Sequence, residues 1–152
     1  MTNDKFNKPP AFSQEGVEGE ASALIGREFP FNGKIENFVK FKNGYVYVSA
    51  IETTGPTTRW LATEFKHDIT NGNHPFDKDL VRYFHLYIYV SGQPTTVFSA
   101  QYGSGTIEID FSLPAGILKF LNFQCAFKKE GGSEVQGNGS FRNVSGLIEE
   151  QL

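Results

Sequence analysis

The segment from residue 80 to residue 90, LVRYFHLYIYV, constrains the fold of this chain more than any other, because its side chains alternate in kind. Tyr83, His85, Tyr87 and Tyr89 occupy one parity, and apolar side chains occupy the positions between them. A period of two with aromatic and β-branched residues predicts a β-strand with two different faces. The apolar face requires a core, and the tyrosine face requires either a cavity or a partner.

Turn residues divide the rest of the chain into similar segments, and helix signals are nearly absent. A loop is predicted over residues 70–79, where Pro75 interrupts a run of turn residues. The predicted strands cover residues 20–25, 35–42, 45–51, 59–69, 80–90, 95–102, 106–112, 117–129 and 134–148. This spacing predicts an all-β fold, an antiparallel up-and-down β-barrel of about eight strands with a calycin-like shape; a β-sandwich is the alternative.

The chain of 152 residues suits one domain. Residues 1–17 are polar and contain Pro9-Pro10, which predicts a flexible N-terminal tail. Residues 18–152 then form a single barrel domain. Phe6 and Phe12 either dock the tail onto the barrel or serve as exposed anchors for a partner.

The dipeptide Asn43-Gly44 between two strand patterns predicts a hairpin with a two-residue type I′ turn. Such a turn sets Lys42 opposite Tyr45, and directly opposed residues share a face. One face then carries Val39, Phe41, Val46 and Val48, and the other carries Lys40, Lys42, Tyr45 and Tyr47.

The lengths of the turns after residues 80–90 determine which later residues lie on each face of that strand. A loop with an even number of residues after Val90 places Val97 on the face of Leu86, and it places Phe98 with the tyrosines. A three-residue turn at 103–105 then adds two carboxylates to the tyrosine face. The predicted ligand-binding residues are therefore Tyr83, His85, Tyr87, Tyr89, Phe98, Tyr102, Glu108 and Asp110.

This set combines aromatic bodies with hydrogen-bonding and acid–base groups. Tyrosine hydroxyls donate hydrogen bonds from an apolar ring, histidine exchanges a proton near neutral pH, and a carboxylate beside aromatic rings has a raised pKa. One hypothesis is a barrel that binds a small apolar molecule with a polar head, extending to a cofactor-independent cyclase or isomerase. The alternative is a non-enzymatic binding or assembly module, in which an exterior tyrosine face contacts a subunit or a carbohydrate. The sequence leaves both open, and with them whether the chain is an enzyme.

Charge and hydropathy exclude several partners. The net charge of −3 and the pI near 5.6 argue against nucleic acid, whose phosphates require clustered Lys and Arg. No run approaches the roughly 18 apolar residues of a membrane span, and the first residues lack a signal-peptide core. We therefore predict a cytoplasmic protein that forms a homo-oligomer if its tyrosine face is exterior.

Motifs for metals, cofactors and nucleophiles are missing. The histidines His67, His74 and His85 show no metal-ligand spacing, and no G-x-S-x-G or phosphate-binding glycine loop occurs. We predict no metal and no cofactor. The single cysteine, Cys125, excludes a disulfide within the chain, and its apolar surroundings predict a buried thiol.

The last segment, EVQGNGSFRNVSGLIEE, has the form V-x-G-x-G-x-F-x-x-V-x-G-x-I. Over residues 134–148 it resembles a recurring segment of allene oxide cyclase-like barrels and of small bacterial barrels of related shape. The resemblance implies an eight-stranded calycin-type barrel that is often oligomeric and sometimes has an apolar cavity. In the cyclases further strands follow this segment, whereas here the sequence ends, so no catalytic residue is carried over. Glycines at these positions are also typical of any bent edge strand.

Overall fold

The computed structural model describes residues 14–150, and every regular element in that range is a β-strand. The strands are β1 (Glu18–Ile25), β2 (Phe31–Lys40), β3 (Tyr45–Thr54), β4 (Thr57–Lys66), β5 (Gly72–Pro75), β6 (Val81–Val90), β7 (Thr96–Ala100), β8 (Thr106–Ser112), β9 (Ile117–Lys129), β10 (Val135–Ser145) and β11 (Ile148–Glu149).

Eight of these strands close an antiparallel barrel. Each pairs with the next in the order β1, β2, β3, β4, β6, β7, β9 and β10, and β10 pairs back with β1. Three short strands lie outside this ring: β8 pairs with β9, β5 pairs with β8, and β11 runs parallel to β2. The predicted all-β barrel is confirmed, and the alternative of two stacked sheets is wrong because the sheet has no open ends within the ring.

Phenylalanine rings fill the barrel. The rings of Phe84 and Phe123 lie 4.4 Å apart between centroids, and Phe84 also contacts Phe127 and Phe141 at 6.1 and 5.9 Å. At these separations the rings touch edge to face or tilted, as aromatic side chains do in close-packed interiors. The thiol of Cys125 is buried in this core, as predicted, and burial raises its pKa to about 12.

A buried ion pair lies near the β3–β4 hairpin. Glu52 and Arg59 pair across β3 and β4, and their side chains form a charge-assisted hydrogen bond. The Arg59 guanidinium also donates to the carbonyl oxygens of Phe29 and Pro30 at 2.7 and 3.0 Å. The buried charge therefore has hydrogen-bond partners on two sides, as a buried ion pair requires.

The predicted register of the β2–β3 hairpin is wrong by one residue. Lys40 pairs with Val46 rather than Tyr47, because the connection is a type I turn and not a type I′ turn. The Gly44 N–H donates to the Phe41 carbonyl at 3.1 Å, and Gly44 alone takes a positive φ, of 90°. Five residues, an odd number, lie between the paired Lys40 and Val46, so Val39 and Phe41 lie on the same face of the sheet as Tyr47.

The predicted facing of β6 and β7 is wrong for the same physical reason. Ile88 pairs with Thr96, so seven residues lie between the paired ends instead of an even number. Tyr87 consequently pairs with Val97, and Leu86 pairs with Phe98. Phe98 therefore belongs to the interior core and not to the tyrosine face.

Most other predicted strands agree with the structure to within a few residues. The predicted bounds of β8 and β9 are confirmed. The predicted loop 70–79 contains β5, which pairs with β8, and the last predicted strand divides into β10 and β11. β5 has only four residues and includes Pro75, so its sequence shows no alternation of apolar and polar residues from which a strand could be predicted.

Gln14 attaches the start of the described chain to β2. Its backbone N–H donates to the Glu36 carbonyl at 3.1 Å, and its side-chain oxygen accepts from the Phe38 N–H at 2.7 Å. Its side-chain amide donates to the Gly146 carbonyl at 2.6 Å. Residues 1–13, with Phe6 and Phe12, lie outside the described residues, so the predicted tail stays a prediction.

The glycines of the last segment have local steric causes. A Cβ atom at Gly139 would lie 2.2 Å from the Ser22 carbonyl oxygen and 2.7 Å from the Ala23 Cα. A Cβ atom at Gly137 would lie 2.5 Å from the ring of Phe127. The glycine pattern thus lets β10 approach β1 closely at the seam where the barrel closes.

We expect Gly139→Ala to destabilise the protein by about 1–3 kcal/mol, the usual cost of forcing an extra carbon into a packed site. The measurement is the free energy of unfolding in urea. Asn138→Ala, an exposed position on the same strand, is the control and should change stability by less than about 0.5 kcal/mol. Equal stability of the two variants would contradict the steric explanation.

No helix within residues 14–150 has the length and the apolar character needed to cross a membrane.

Candidate functional site: an aromatic groove on the outside of the barrel

A second buried cluster lies outside the barrel wall. It consists of Tyr47, Ala62 and Tyr87, separate from the main core. Their neighbours along β4 and β6, Leu61 and Leu86, point into the barrel, so alternation directs this cluster outward. Tyr47 is 1% exposed, Ala62 0% and Tyr87 3%, which is core-like burial on an outer face.

Small and polar side chains form a floor that crosses four strands. Strand pairing sets Asn37 of β2 opposite Ser49 of β3, Ser49 opposite Ala62 of β4, and Ala62 opposite His85 of β6. The same row continues to Ser99 of β7. Residues directly opposed across strands share a face, so this row runs perpendicular to the strands.

Large side chains stand on both sides of this floor. On one side Tyr47 is opposite Glu64, and Glu64 is opposite Tyr83. On the other side, Trp60 pairs with Ile51 and with Tyr87, which pairs with Val97. These two rows lie four residues apart along each strand, about 13 Å at the rise of a β-strand.

We call this arrangement the outer groove: the floor Asn37, Ser49, Ala62, His85 and Ser99 and the two walls Tyr47–Glu64–Tyr83 and Ile51–Trp60–Tyr87–Val97.

Ring contacts fix the side chains along the first wall and the floor. The rings of Tyr83 and His85 stack with centroids 4.8 Å apart, and His85 contacts Tyr87 edge to face at 5.5 Å. Phe41 stacks on Tyr47 at 5.8 Å, which extends the wall toward the β2–β3 turn. His85 therefore lies between two rings, which restricts its rotamer.

Glu64 provides the carboxylate in the groove. It is 6% exposed, and its Oε1 accepts from the Arg82 guanidinium at 3.3 Å. Arg82 itself is exposed and lies over the ring of Tyr45, 5.9 Å from the centroid. The carboxylate is therefore neutralised from the rim of the groove.

Burial keeps the tyrosine and histidine groups of the groove uncharged at neutral pH. Desolvation raises the pKa of Tyr47, Tyr83 and Tyr87 well above the ordinary tyrosine value, with nearby Glu64 adding to each shift. Desolvation lowers the pKa of His85 to about 4. The groove thus presents neutral hydrogen-bonding groups between apolar rings.

The structure brings together three of the eight predicted site residues, Tyr83, His85 and Tyr87. Tyr89 has the same parity but lies toward the end of β6 and is 37% exposed. Phe98 lies in the barrel interior, as described above.

The remaining three predicted residues lie on other elements. Tyr102 stacks on Phe76 at 5.2 Å, and its hydroxyl donates to the Arg82 carbonyl. Glu108 and Asp110 belong to β8, which pairs with β5 and β9 and not with β6. Glu108 accepts a hydrogen bond from the Asn122 amide at 3.2 Å.

The sequence prediction missed the residues that β2, β3 and β4 contribute. The sequence of β4 alternates so that Trp60, Ala62 and Glu64 share one side, but a connection of fourteen residues, 67–80, separates β4 from β6. Such a connection does not fix which residues are paired across the two strands. Because Ala62 pairs with His85, the outward side chains of β4 and those of β6 lie side by side and form one groove.

No family model, no curated protein and no solved structure matches this chain. The resemblance of residues 134–148 to allene oxide cyclase-like barrels therefore stays a prediction.

The lowered pKa of His85 predicts a pH dependence of stability. The unfolded chain binds a proton at His85 below about pH 6.5, whereas the folded protein binds it only near pH 4, so stability falls as the pH drops through this window. The full effect is about 3 kcal/mol, at 1.36 kcal/mol for each pKa unit. The measurement is the free energy of urea unfolding at pH 7, 5.5 and 4.

His85→Phe supplies the control, because it keeps a ring against Tyr83 and removes the titrating group. We expect the variant to lose markedly less stability than the wild type between pH 6.5 and pH 4. Parallel pH profiles of the two proteins would show that His85 is protonated equally in the folded and unfolded chain.

Proposed function

We propose that this protein is a non-enzymatic binding module whose outer groove holds an extended polypeptide segment. The observation that carries the proposal is the core-like burial of Tyr47, Ala62 and Tyr87 on the outside of the barrel. Aromatic side chains gathered on an outer face, with Trp60, Tyr83 and Val97 only partly buried around them, are typical of a contact site.

The dimensions of the groove favour an extended chain. Its walls are separated by about 13 Å and its floor crosses strands that lie about 4.8 Å apart, so the site is long and narrow. Ser49 and Ala62 put small side chains at the centre of the floor, while Trp60 and the tyrosines put aromatic rings on both sides. Tyrosine and tryptophan are the residues that contribute most to such interfaces.

The chemistry of the groove suits binding rather than proton transfer. With a pKa of about 4, His85 is neutral at pH 7, where a general acid or base works best with a pKa near the pH of the reaction. Tyrosine hydroxyls donate hydrogen bonds of the kind that backbone carbonyls of a bound segment accept. A cyclase or isomerase activity has less support than binding for this reason.

A small-molecule site has weaker support than the groove. The packed phenyl rings occupy the interior where an apolar ligand of a calycin-like barrel would bind. A shallow depression of about 210 Å³ lies between β1, β2 and β10 and is lined by Ser22, Leu24, Phe31, Asn32 and Asn138 among others. Ligand pockets usually enclose about 300–1,000 Å³. A cytoplasmic location and a homo-oligomeric state stay predictions.

Peptide selection tests the proposal. We expect a displayed library of random 12-residue peptides, selected on the full chain, to yield binders that combine aromatic residues and proline. Ala62→Arg fills the floor of the groove and should weaken these peptides at least tenfold in a titration by calorimetry. Ala115→Arg places the same side chain in an exposed turn and should leave the Kd unchanged. Peptides that bind Ala62→Arg as well as the wild type would contradict the proposal, as would a selection that yields none.

A further inference from the structure

Strand pairing aligns short polar side chains on a second outer surface of the barrel. From β2 through β1, β10, β9 and β8 to β5, one row consists of Asn32, Ser22, Ser140, Asn122, Glu108 and Asn73. Two residues along the strands, the next row consists of Leu24, Asn138, Gln124 and Thr106. Residues between these positions, such as Ala23 and Phe123, belong to the interior core, so both rows face outward. We call these two rows the amide face.

The amide face carries almost no charge, unlike the surface beside it. Its one carboxylate, that of Glu108, accepts a hydrogen bond from the Asn122 amide at 3.2 Å. The neighbouring outward row consists of Lys34, Glu20, Arg142, Phe120 and Asp110. A ligand of the amide face is therefore recognised by hydrogen bonds between neutral groups and not by ion pairs.

Several side chains of the amide face have unused hydrogen-bonding capacity. Among residues 14–150, the side chains of Ser22, Asn32, Asn138 and Gln124 have no hydrogen-bond partner. Each amide offers two N–H donors and a carbonyl acceptor, and each hydroxyl both donates and accepts. A ligand rich in hydroxyl groups matches this mixture, because a hydroxyl group also donates and accepts.

The shallow depression between β1, β2 and β10 lies within the amide face. Ser22, Asn32 and Asn138 form its polar lining, and Leu24, which is 46% exposed, adds apolar surface. Its volume of about 210 Å³ is below that of a pocket for a drug-sized ligand, but it admits a single sugar ring. The C–H face of such a ring can pack on Leu24 while its hydroxyl groups reach the amides.

The buried ion pair of Glu52 and Arg59 holds the border of this depression in place. Arg59 donates to the carbonyl oxygens of Phe29 and Pro30, and Glu52 accepts from the backbone N–H of Asn32 at 2.9 Å. The side chain of Phe29 is 84% exposed and projects from this anchored backbone, next to Pro30 in the lining. An aromatic ring on a held backbone loses little conformational freedom when it contacts a ligand.

We propose that the amide face binds a neutral oligosaccharide chain, with one sugar unit in the depression. The longer row spans five strand spacings, about 24 Å, so several units can lie on the face. Sugar hydroxyls replace the water that hydrates the amides, and this exchange yields little free energy for each hydrogen bond. Affinity therefore increases with the number of units in contact. Binding at this face is independent of the proposed function, because the outer groove consists of other residues.

Affinity electrophoresis tests the proposal with the full chain in native gels that contain a glucan, a xylan, a galactan or a mannan. We expect at least one of these neutral polymers to retard the protein. Calorimetry with the hexasaccharide and the disaccharide of that polymer then measures the effect of length. The disaccharide should bind at least tenfold more weakly.

Two single variants test the contribution of the amides. Asn138→Ala and Gln124→Ala should each raise the Kd of the hexasaccharide roughly threefold to tenfold, as loss of one neutral hydrogen bond does. Gln93→Ala removes an exposed amide from the turn after β6 and should leave the Kd unchanged. Urea unfolding of Asn138→Ala verifies its fold independently. The proposal is overturned by an absence of retardation in all four gels, by retardation with polygalacturonate alone, or by an unchanged Kd in both amide variants.

NMR locates the sugar without a variant. The side-chain amide signals of Asn32, Asn138 and Gln124 should shift when the hexasaccharide is added, and that of Gln93 should not. Shifts confined to the outer groove, such as that of the Trp60 indole N–H, would place the sugar there and overturn the proposal. Peptide binding that is sensitive to Ala62→Arg is measured separately, so failure of the sugar site leaves the proposed function standing.

Discussion

Closure of the sheet is the constraint on which the rest of this structure depends. A closed barrel encloses only one side of each strand, and the phenylalanine core fills that side. Strands that are apolar on both faces, such as β6, must then place their second face outside. The aromatic cluster on the outer wall is the direct result, with Tyr47, Ala62 and Tyr87 buried there.

The number of residues in a turn, odd or even, determines which residues of the adjoining strands lie on each face of the sheet. A strand alternates with a period of two, so one residue more or less in a turn exchanges its interior and exterior sets. The five residues between Lys40 and Val46 place Val39 and Phe41 outside with Tyr47. The seven residues between Ile88 and Thr96 place Phe98 inside and Val97 outside. Two turns with odd numbers of residues therefore decide which side chains form the groove.

The spacing of turns and strand patterns along the chain was sufficient to predict the barrel, and it gave β8 and β9 their correct bounds. The alternation of residues 80–90 predicted Tyr83, His85 and Tyr87 as one group. The sequence could not predict the turn types, because Asn43-Gly44 is compatible with a type I turn followed by a left-handed glycine as well as with type I′. Nor could it pair Ala62 with His85 across a long connection, and the floor of the groove depends on that pair.

The most direct test of this account is the rate at which tetranitromethane nitrates each tyrosine, mapped by mass spectrometry. The burial of Tyr47 and Tyr87 on the outer face predicts that they react at least tenfold more slowly than the exposed Tyr89 and Tyr102, independently of protein concentration. Equal rates for all four tyrosines would show an open aromatic face and contradict the account.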